Sequence, residues 1–178
     1  MKFMKLNLSA LISFLLYCLP YLNGASSEAY AQIFSSMTQK SEKIVGSLLK
    51  AENVFINKNF KISENYDFLT CQIDGVYFVT SSIQVAALNL GINGHLGMWF
   101  EVNHKPLSAS TARLYVTENA PISLLTTLFL IKLKKGDTIG TRVASSGPDI
   151  GITYIDAPSS IEPSIPSYTF VIYKVNDL

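Results

Sequence analysis

The sequence predicts an all-β fold, an antiparallel jelly-roll sandwich of about eight to ten strands. From Val54 onward, apolar residues recur with a period of two, which is typical of strands. Turn residues, mainly Gly, Pro, Asn and Asp, separate the apolar runs. No segment between them has the pattern of a helix of crossover length, and this excludes a parallel sheet built from βαβ units.

The N-terminal residues have the composition of a secretory signal peptide. Two lysines precede the uncharged apolar run 6–22, and small and polar residues follow it. Pro20 suits a cleavable segment better than a permanent membrane span. The small-x-small triplet 29–31 predicts a peptidase site, so we assign residues 1–31 to the signal; a cut nearer Ala25 is the alternative. The mature chain is therefore expected to be secreted or displayed at a cell surface, without a membrane span.

Residues 32–53 are expected to form a lead-in segment or short stalk before a domain that spans residues 54–178. Their apolar residues have a loosely helical spacing, but the polar stretch 38–43 interrupts it and breaks any heptad. A flexible lead-in is therefore favoured over a coiled coil.

Charge and cysteine content exclude several kinds of partner and stabilisation. The chain has 14 basic and 13 acidic residues, and loss of residues 1–31 removes two lysines and one glutamate, so the mature domain is formally neutral. No basic block remains that would hold a nucleic acid or an anionic membrane by counterion release. Cys71 is the only cysteine after the signal, so stability must come from packing and not from an intrachain disulfide.

The candidate strands follow one another with short loops between them. They cover residues 54–62, 67–73, 76–88, 97–104, 107–116, 122–133, 138–144, 150–155 and 168–175. In 122–133 and 168–175 both faces of the strand are apolar, whereas a sandwich strand normally has one solvated face. Another subunit is the expected cover for the second face, so the pattern predicts an obligate oligomer.

Three motifs resemble the globular-head family of complement component one q, which shares its jelly-roll module with the tumour necrosis factors. They are DFLTCQIDGVYFV at 67–79, LFLIKLKKGDTI at 128–139 and YTFVIYKV at 168–175. Two further segments are similar to the C-terminal domains of collagen-like glycoproteins on bacterial spores and in phage-like tails, although no Gly-x-y tract lies upstream: FEVNHKPL at 100–107 and APISLLTTLFLIKLKKGD at 120–137. The resemblance covers residues 54–175 and implies a trimeric jelly roll.

The resemblance also implies which side chains face the threefold axis of such a trimer. Alternate positions within the motifs should form the core: Tyr77, Val79, Phe129, Ile131, Phe170 and Ile172. Positions between and beside them should form the trimer interface: Phe78, Thr80, Thr126, Leu128, Leu130, Val171 and Tyr173. This assignment agrees with the two-sided apolar pattern of the two strands.

Few residues of the domain suggest reactive chemistry. His95 and His104 lie too far apart along the chain to share a metal within one subunit, and both are expected to be loop residues. A threefold metal site made by His95 at the apex of a trimer is the alternative. Cys71 has apolar neighbours and is expected to be a small buried side chain. We assign no catalytic residue and expect no enzymatic activity.

The longest polar connection, residues 145–164, is the predicted ligand-binding loop, with Ser146, Asp149 and Asp156 as its candidate residues. Complement-head domains often bind calcium, and the two aspartates could supply oxygen ligands. The sequence has no calcium loop of a recognised type, so no cofactor is expected.

The sequence therefore predicts a secreted homotrimeric module for recognition or adhesion, which binds a protein or glycan ligand through its loops and gains strength from multivalency. One alternative is a structural subunit of a surface coat or appendage. A more remote alternative is a hydrolase built on a β-sandwich.

Overall fold

The structure is a computed structural model that describes residues 28–40, 46–117, 122–147, 149–157 and 163–178. In this part of the chain the strands are β1 Tyr30–Ser35, β2 Gln39–Lys40, β3 Ser47–Leu48, β4 Asn53–Lys58, β5 Phe60–Ile62, β6 Leu69–Cys71, β7 Gly75–Ala87, β8 Gly94–Val102, β9 Lys105–Pro106, β10 Ala112–Val116, β11 Ile122–Leu133, β12 Thr138–Ser145, β13 Ile150–Ile152 and β14 Tyr168–Asn176. A 3₁₀ turn, Ser108–Ser110, lies between β9 and β10.

The strands form two sheets, and the antiparallel sandwich predicted from the sequence is confirmed. The first, here the β7 sheet, has the order β2-β13-β7-β14-β1-β4, with β11 on the other side of β7. The second, here the β8 sheet, has the order β10-β8-β12-β6-β5, with β3 beside β12 and β9 beside β8. The number of strands exceeds the expectation because short pairings of two or three residues are added to the long strands.

The core lies between the two sheets and follows the period of two. Tyr77 and Val79 on β7 have no exposed surface, and neither have Leu96 and Phe100 on β8. Phe100 and Phe170 meet edge to face across the sandwich, with ring centroids 6.0 Å apart. Strand residues that alternate with these buried ones must point away from the core, so each sheet has a separate outer face.

The expected lead-in at residues 32–53 is wrong for its first residues, because β1 is an internal strand of the β7 sheet. β1 pairs with β14 on one side and with β4 on the other. Ala31 and Ile33 on β1 are buried and extend the core. The loosely helical spacing was misleading because the partner strands, which make β1 a strand, are distant in sequence.

The same strand extends into the segment assigned to the signal peptide. Residues 1–27 lie outside the described residues. Ala29 is 2% exposed, and its carbonyl accepts a 2.8 Å hydrogen bond from the backbone N–H of Lys174. The carboxylate of Glu28 lies 2.7 Å from Lys58 Nζ. Residues 28–31 thus belong to the sandwich, which agrees with the alternative cut nearer Ala25.

A tight turn connects β11 to β12, in the gap between the candidate strands 122–133 and 138–144. The Asp137 carboxylate accepts hydrogen bonds from the backbone N–H of Lys134 at 2.7 Å and from Asn103 Nδ2 at 2.8 Å. Gly136 has φ 93°, a left-handed conformation that glycine adopts without strain. Asp137 therefore fixes the turn between β11 and β12.

Candidate functional site

The outer face of the β7 sheet is apolar at the strand where the sequence has two hydrophobic sides. On β11 the side chains of Leu125 and Leu133 point into the core. Leu124, Leu128 and Leu130 point the other way and are 61%, 63% and 61% exposed. We call these three leucines the β11 patch. Three large apolar side chains in one strand, each more than half exposed, are unusual for a surface that remains in water.

The register of the sheet brings all seven residues of the predicted trimer interface onto this face. The pairing of β11 with β7 and of β7 with β14 arranges them in rows across the three strands: Leu130, Phe78 and Tyr173; Leu128, Thr80 and Val171; Thr126, Ser82 and Thr169. The geometry therefore groups the predicted residues on one continuous surface. Their role in assembly stays a prediction.

Three hydroxyl groups of this face have hydrogen-bond partners within the sheet. Ser82 Oγ and Thr126 Oγ1 lie 2.9 Å apart, and Thr80 Oγ1 donates to the carbonyl of Thr127 at 3.2 Å. Phe78 and Tyr173 pack ring against ring with centroids 5.2 Å apart. The cost of burying a hydroxyl is largely removed when it has a hydrogen-bond partner. Covering these three hydroxyls therefore carries a small desolvation penalty.

A second exposed apolar run lies on the edge strand β4, and the sequence analysis did not identify it as a surface patch. Val54, Phe55 and Ile56 are 45%, 69% and 45% exposed. We call these residues the β4 patch. A strand with one solvated face would have a polar residue in the middle of such a run, so three consecutive apolar residues were the available signal.

Two of the three candidate ligand-binding residues fasten loops in the structure. Ser146 Oγ accepts a 2.9 Å hydrogen bond from the backbone N–H of His95, and Asp149 Oδ1 accepts one of 2.6 Å from Asn89 Nδ2. The first bond ties the connection after β12 to the start of β8, and the second ties it to the connection between β7 and β8. Asp156 is exposed beyond β13. The structure does not test whether any of the three contacts a ligand.

The metal-site alternatives gain no support from the arrangement of side chains. Over the described ranges, no three His, Cys, Asp or Glu side chains lie together as metal ligands would. The His95 ring packs on Tyr115 with centroids 5.3 Å apart, and His104 packs on Phe68 at 4.8 Å. His95 lies on the outer face of the β8 sheet, because its neighbour Leu96 is buried in the core.

Cys71 is a buried structural side chain, as expected. Its thiol has no exposed surface and donates to the carbonyl of Ile73 at 2.9 Å. The hydroxyl of Tyr77, 3.2 Å from Cys71 Sγ, also donates to the carbonyl of Ile73, at 2.5 Å. Burial, with a smaller effect of the Cys71 hydrogen bond, raises the pKa of Tyr77 well above its usual value. The carbonyl oxygen of Ile73 thus accepts hydrogen bonds from both groups, and a backbone carbonyl is not a general base that would activate a thiol.

Comparison with known proteins supports the fold. No family model and no curated protein matches the chain. A solved structure, the globular domain of the zebrafish complement 1qA protein, matches with a TM-score of 0.56 at 12% identity, over 85% of this chain and 100% of that one. The similarity to glycoproteins of bacterial spores has no counterpart in these comparisons.

None of the described residues belongs to a helix with the length and apolarity that a membrane crossing needs. At this identity, the match to the zebrafish domain concerns shape alone. The chain has a jelly-roll fold that is similar to the fold of the zebrafish complement 1qA globular domain.

Proposed function

We propose that this protein is a secreted, non-enzymatic recognition module that acts as a homotrimer, with the outer face of the β7 sheet as the contact between subunits. The observation that carries the proposal is the β11 patch beside Val171 and Phe78, on a face where three hydroxyl groups are already hydrogen-bonded. Burying such a face costs little desolvation free energy for its hydroxyls and gains the hydrophobic free energy of its leucines. The resemblance to the complement head also supports the proposal, because the interface residues that it implies all lie on this face.

The ligand would bind away from this face, at the end of the sandwich where β7 joins β8 and β12 joins β13. The bond of Asp149 holds these connections against each other, and the bond of Ser146 holds the second connection against β8, so each subunit presents a preorganised surface that loses little entropy on binding. A trimer presents three copies side by side, and weak contacts with a protein or glycan add through multivalency. With Glu28 included, the domain has 12 basic and 13 acidic residues, and it has no basic block for a nucleic acid.

The proposed assembly is tested by the solution mass of the secreted chain, measured by light scattering during size exclusion at falling protein concentration. A mass of three chains that persists on dilution supports the proposal, and a stable monomer contradicts it. The trimer is then applied to glycan and protein arrays. Saturable binding supports recognition, whereas assembly into ordered sheets or fibres without ligand binding would favour the coat role instead.

A further inference from the structure

The β4 patch raises the question of what covers it, because it lies at the edge of the same sheet that carries the β11 patch. Its exposure follows from the pairing of β4 with β1. Gln32 is opposite Ile56 and Ile33 is opposite Val54, so the register shifts and Phe55 has no partner on β1. This bulge breaks the alternation of the strand. Phe55 is 69% exposed as a result.

The two apolar patches occupy opposite edges of one sheet. From one edge to the other the order is β4, β1, β14, β7 and β11. With strands about 4.8 Å apart, the two edge strands are separated by about 19 Å. A single compact contact therefore does not cover both patches.

The two patches also lie at the same height along the strands. Cross-strand pairing connects Leu128 of the β11 patch with Ile56 of the β4 patch through one continuous row: Leu128, Thr80, Val171, Gln32 and Ile56. A rotation about an axis that runs roughly along the strands preserves this height. Such a rotation can bring one end of the row onto the other end of a neighbour's row.

A closed ring of three subunits needs this kind of arrangement. Its contacts are heterologous, which means that one patch on each subunit meets a different patch on the next. When three β7 sheets face a common axis, the β4 edge of each subunit approaches the β11 edge of its neighbour. We infer that Phe55 and Ile56 of one protomer pack against Leu128 and Leu130 of the next. The inference rests on the proposed trimer and specifies how it closes.

The inference is tested with two single variants and their mixture. Phe55→Asp removes the β4 patch and Leu128→Asp removes the β11 patch, so each variant alone is expected to lose assembly, and its mass should fall threefold. In an equimolar mixture, each variant still carries the patch that the other lacks. One intact contact then forms, and native mass spectrometry should detect a species of two chains, one of each variant.

A matched control separates surface charge from the proposed contact. Leu90 is fully exposed in the connection between β7 and β8, so Leu90→Asp should leave the mass of the assembly unchanged. Circular dichroism checks that each variant is folded, and Phe55→Gln replaces Phe55→Asp if that variant is not.

Three results decide the inference. Assembly that persists in a folded Phe55 variant overturns it, even if Leu128→Asp dissociates, and in that case the proposed trimer stands. A mixture that contains only monomers also overturns it. A wild-type chain that is itself monomeric removes the proposed function as well, so the two failures are distinguishable.

Discussion

The two outer faces of the sandwich differ in how they are completed. On the β8 sheet, Arg142 forms a two-pronged ion pair with Glu101, with contacts of 2.6 and 2.9 Å, and donates a third hydrogen bond of 2.5 Å to the carbonyl of Gly46. Polar groups of the same chain therefore pair with one another on this face. On the β7 sheet the leucines of the β11 patch remain more than 60% exposed. The β8 face therefore carries an ion pair formed within the subunit, whereas the β7 face presents exposed leucines that the proposed trimer would bury.

The largest expected effect comes from a charge at the centre of the β7 face. Leu128→Asp would place a carboxylate in each copy of the proposed contact, where desolvation and mutual repulsion oppose assembly. We expect the mass in solution to fall from three chains to one, with the far-ultraviolet circular dichroism spectrum unchanged.

Tyr115→Asp is the matched control on the opposite face. Tyr115 is 64% exposed on the β8 sheet, against 63% for Leu128. Its replacement should leave the mass unchanged. Equal losses of assembly in both variants would show that charge alone is responsible, and the contrast between the faces would fail.

The next effect concerns stability rather than assembly. The Glu101 side chain is 7% exposed and its partner Arg142 is 25% exposed. Glu101→Ala would leave the guanidinium partly buried without its counter-ion, and we expect the free energy of unfolding to fall by about 3 kcal/mol. Denaturant titration at fixed protein concentration measures the loss.

The double variant Glu101→Ala with Arg142→Met tests the cause. It should recover part of the lost stability, because no charge is then left unpaired. Neither variant should change the number of subunits. A change of mass would mean that the β8 face also contributes to assembly.

A smaller effect is expected at the start of β1. A chain that begins at Gln32 lacks Ala29 and Ala31, which are buried, and the hydrogen bond from Lys174 to Ala29. We expect it to be less stable than a chain that begins at Ser26 by about 2 kcal/mol. The natural N-terminus of the secreted protein, read by intact mass, should therefore lie before Glu28. A mature chain that starts at Gln32 and is equally stable would contradict this expectation.

This last example shows where sequence patterns stop being sufficient. The strands from β7 onward follow a period of two, and the two apolar sides of β11 were legible because each side alternates within one segment. β1 was missed because its partners, β14 and β4, are defined only in the folded chain. Its own spacing carries no information about them.

The hydrogen-bond partners of the candidate loop residues could not be predicted for a related reason. Ser146 and Asp149 have the composition of a binding loop, and only the fold supplies the backbone of His95 and the amide of Asn89 that occupy their side chains. Local sequence predicts that such residues are exposed and polar, but their hydrogen-bond partners are non-local. The β4 patch was visible as an apolar run, but its position at the edge of the β7 sheet required the register.

The smallest effect at neutral pH, and one that grows in alkali, is expected inside the core between the two faces. The Tyr168 hydroxyl is buried and donates a 3.0 Å hydrogen bond to Thr141 Oγ1. Burial raises the pKa of Tyr168 above its ordinary value of 10.0, although hydrogen bonding with Thr141 and Ser81 opposes the shift. The unfolded chain therefore loses this proton at a lower pH than the folded chain does.

Stability should consequently be constant with respect to this group below pH 10 and fall as the pH rises above that value, by at most about 1.4 kcal/mol per pH unit for one proton. Tyr168→Phe removes this contribution, so its free energy of unfolding should depend less steeply on pH between 9.5 and 11, in denaturant titrations at fixed protein concentration. Tyrosinate absorbance of the folded protein gives a second readout. If the variant and the wild-type chain show the same slope, Tyr168 is reached by solvent in the folded state, and the core between the two faces is looser than its packing indicates.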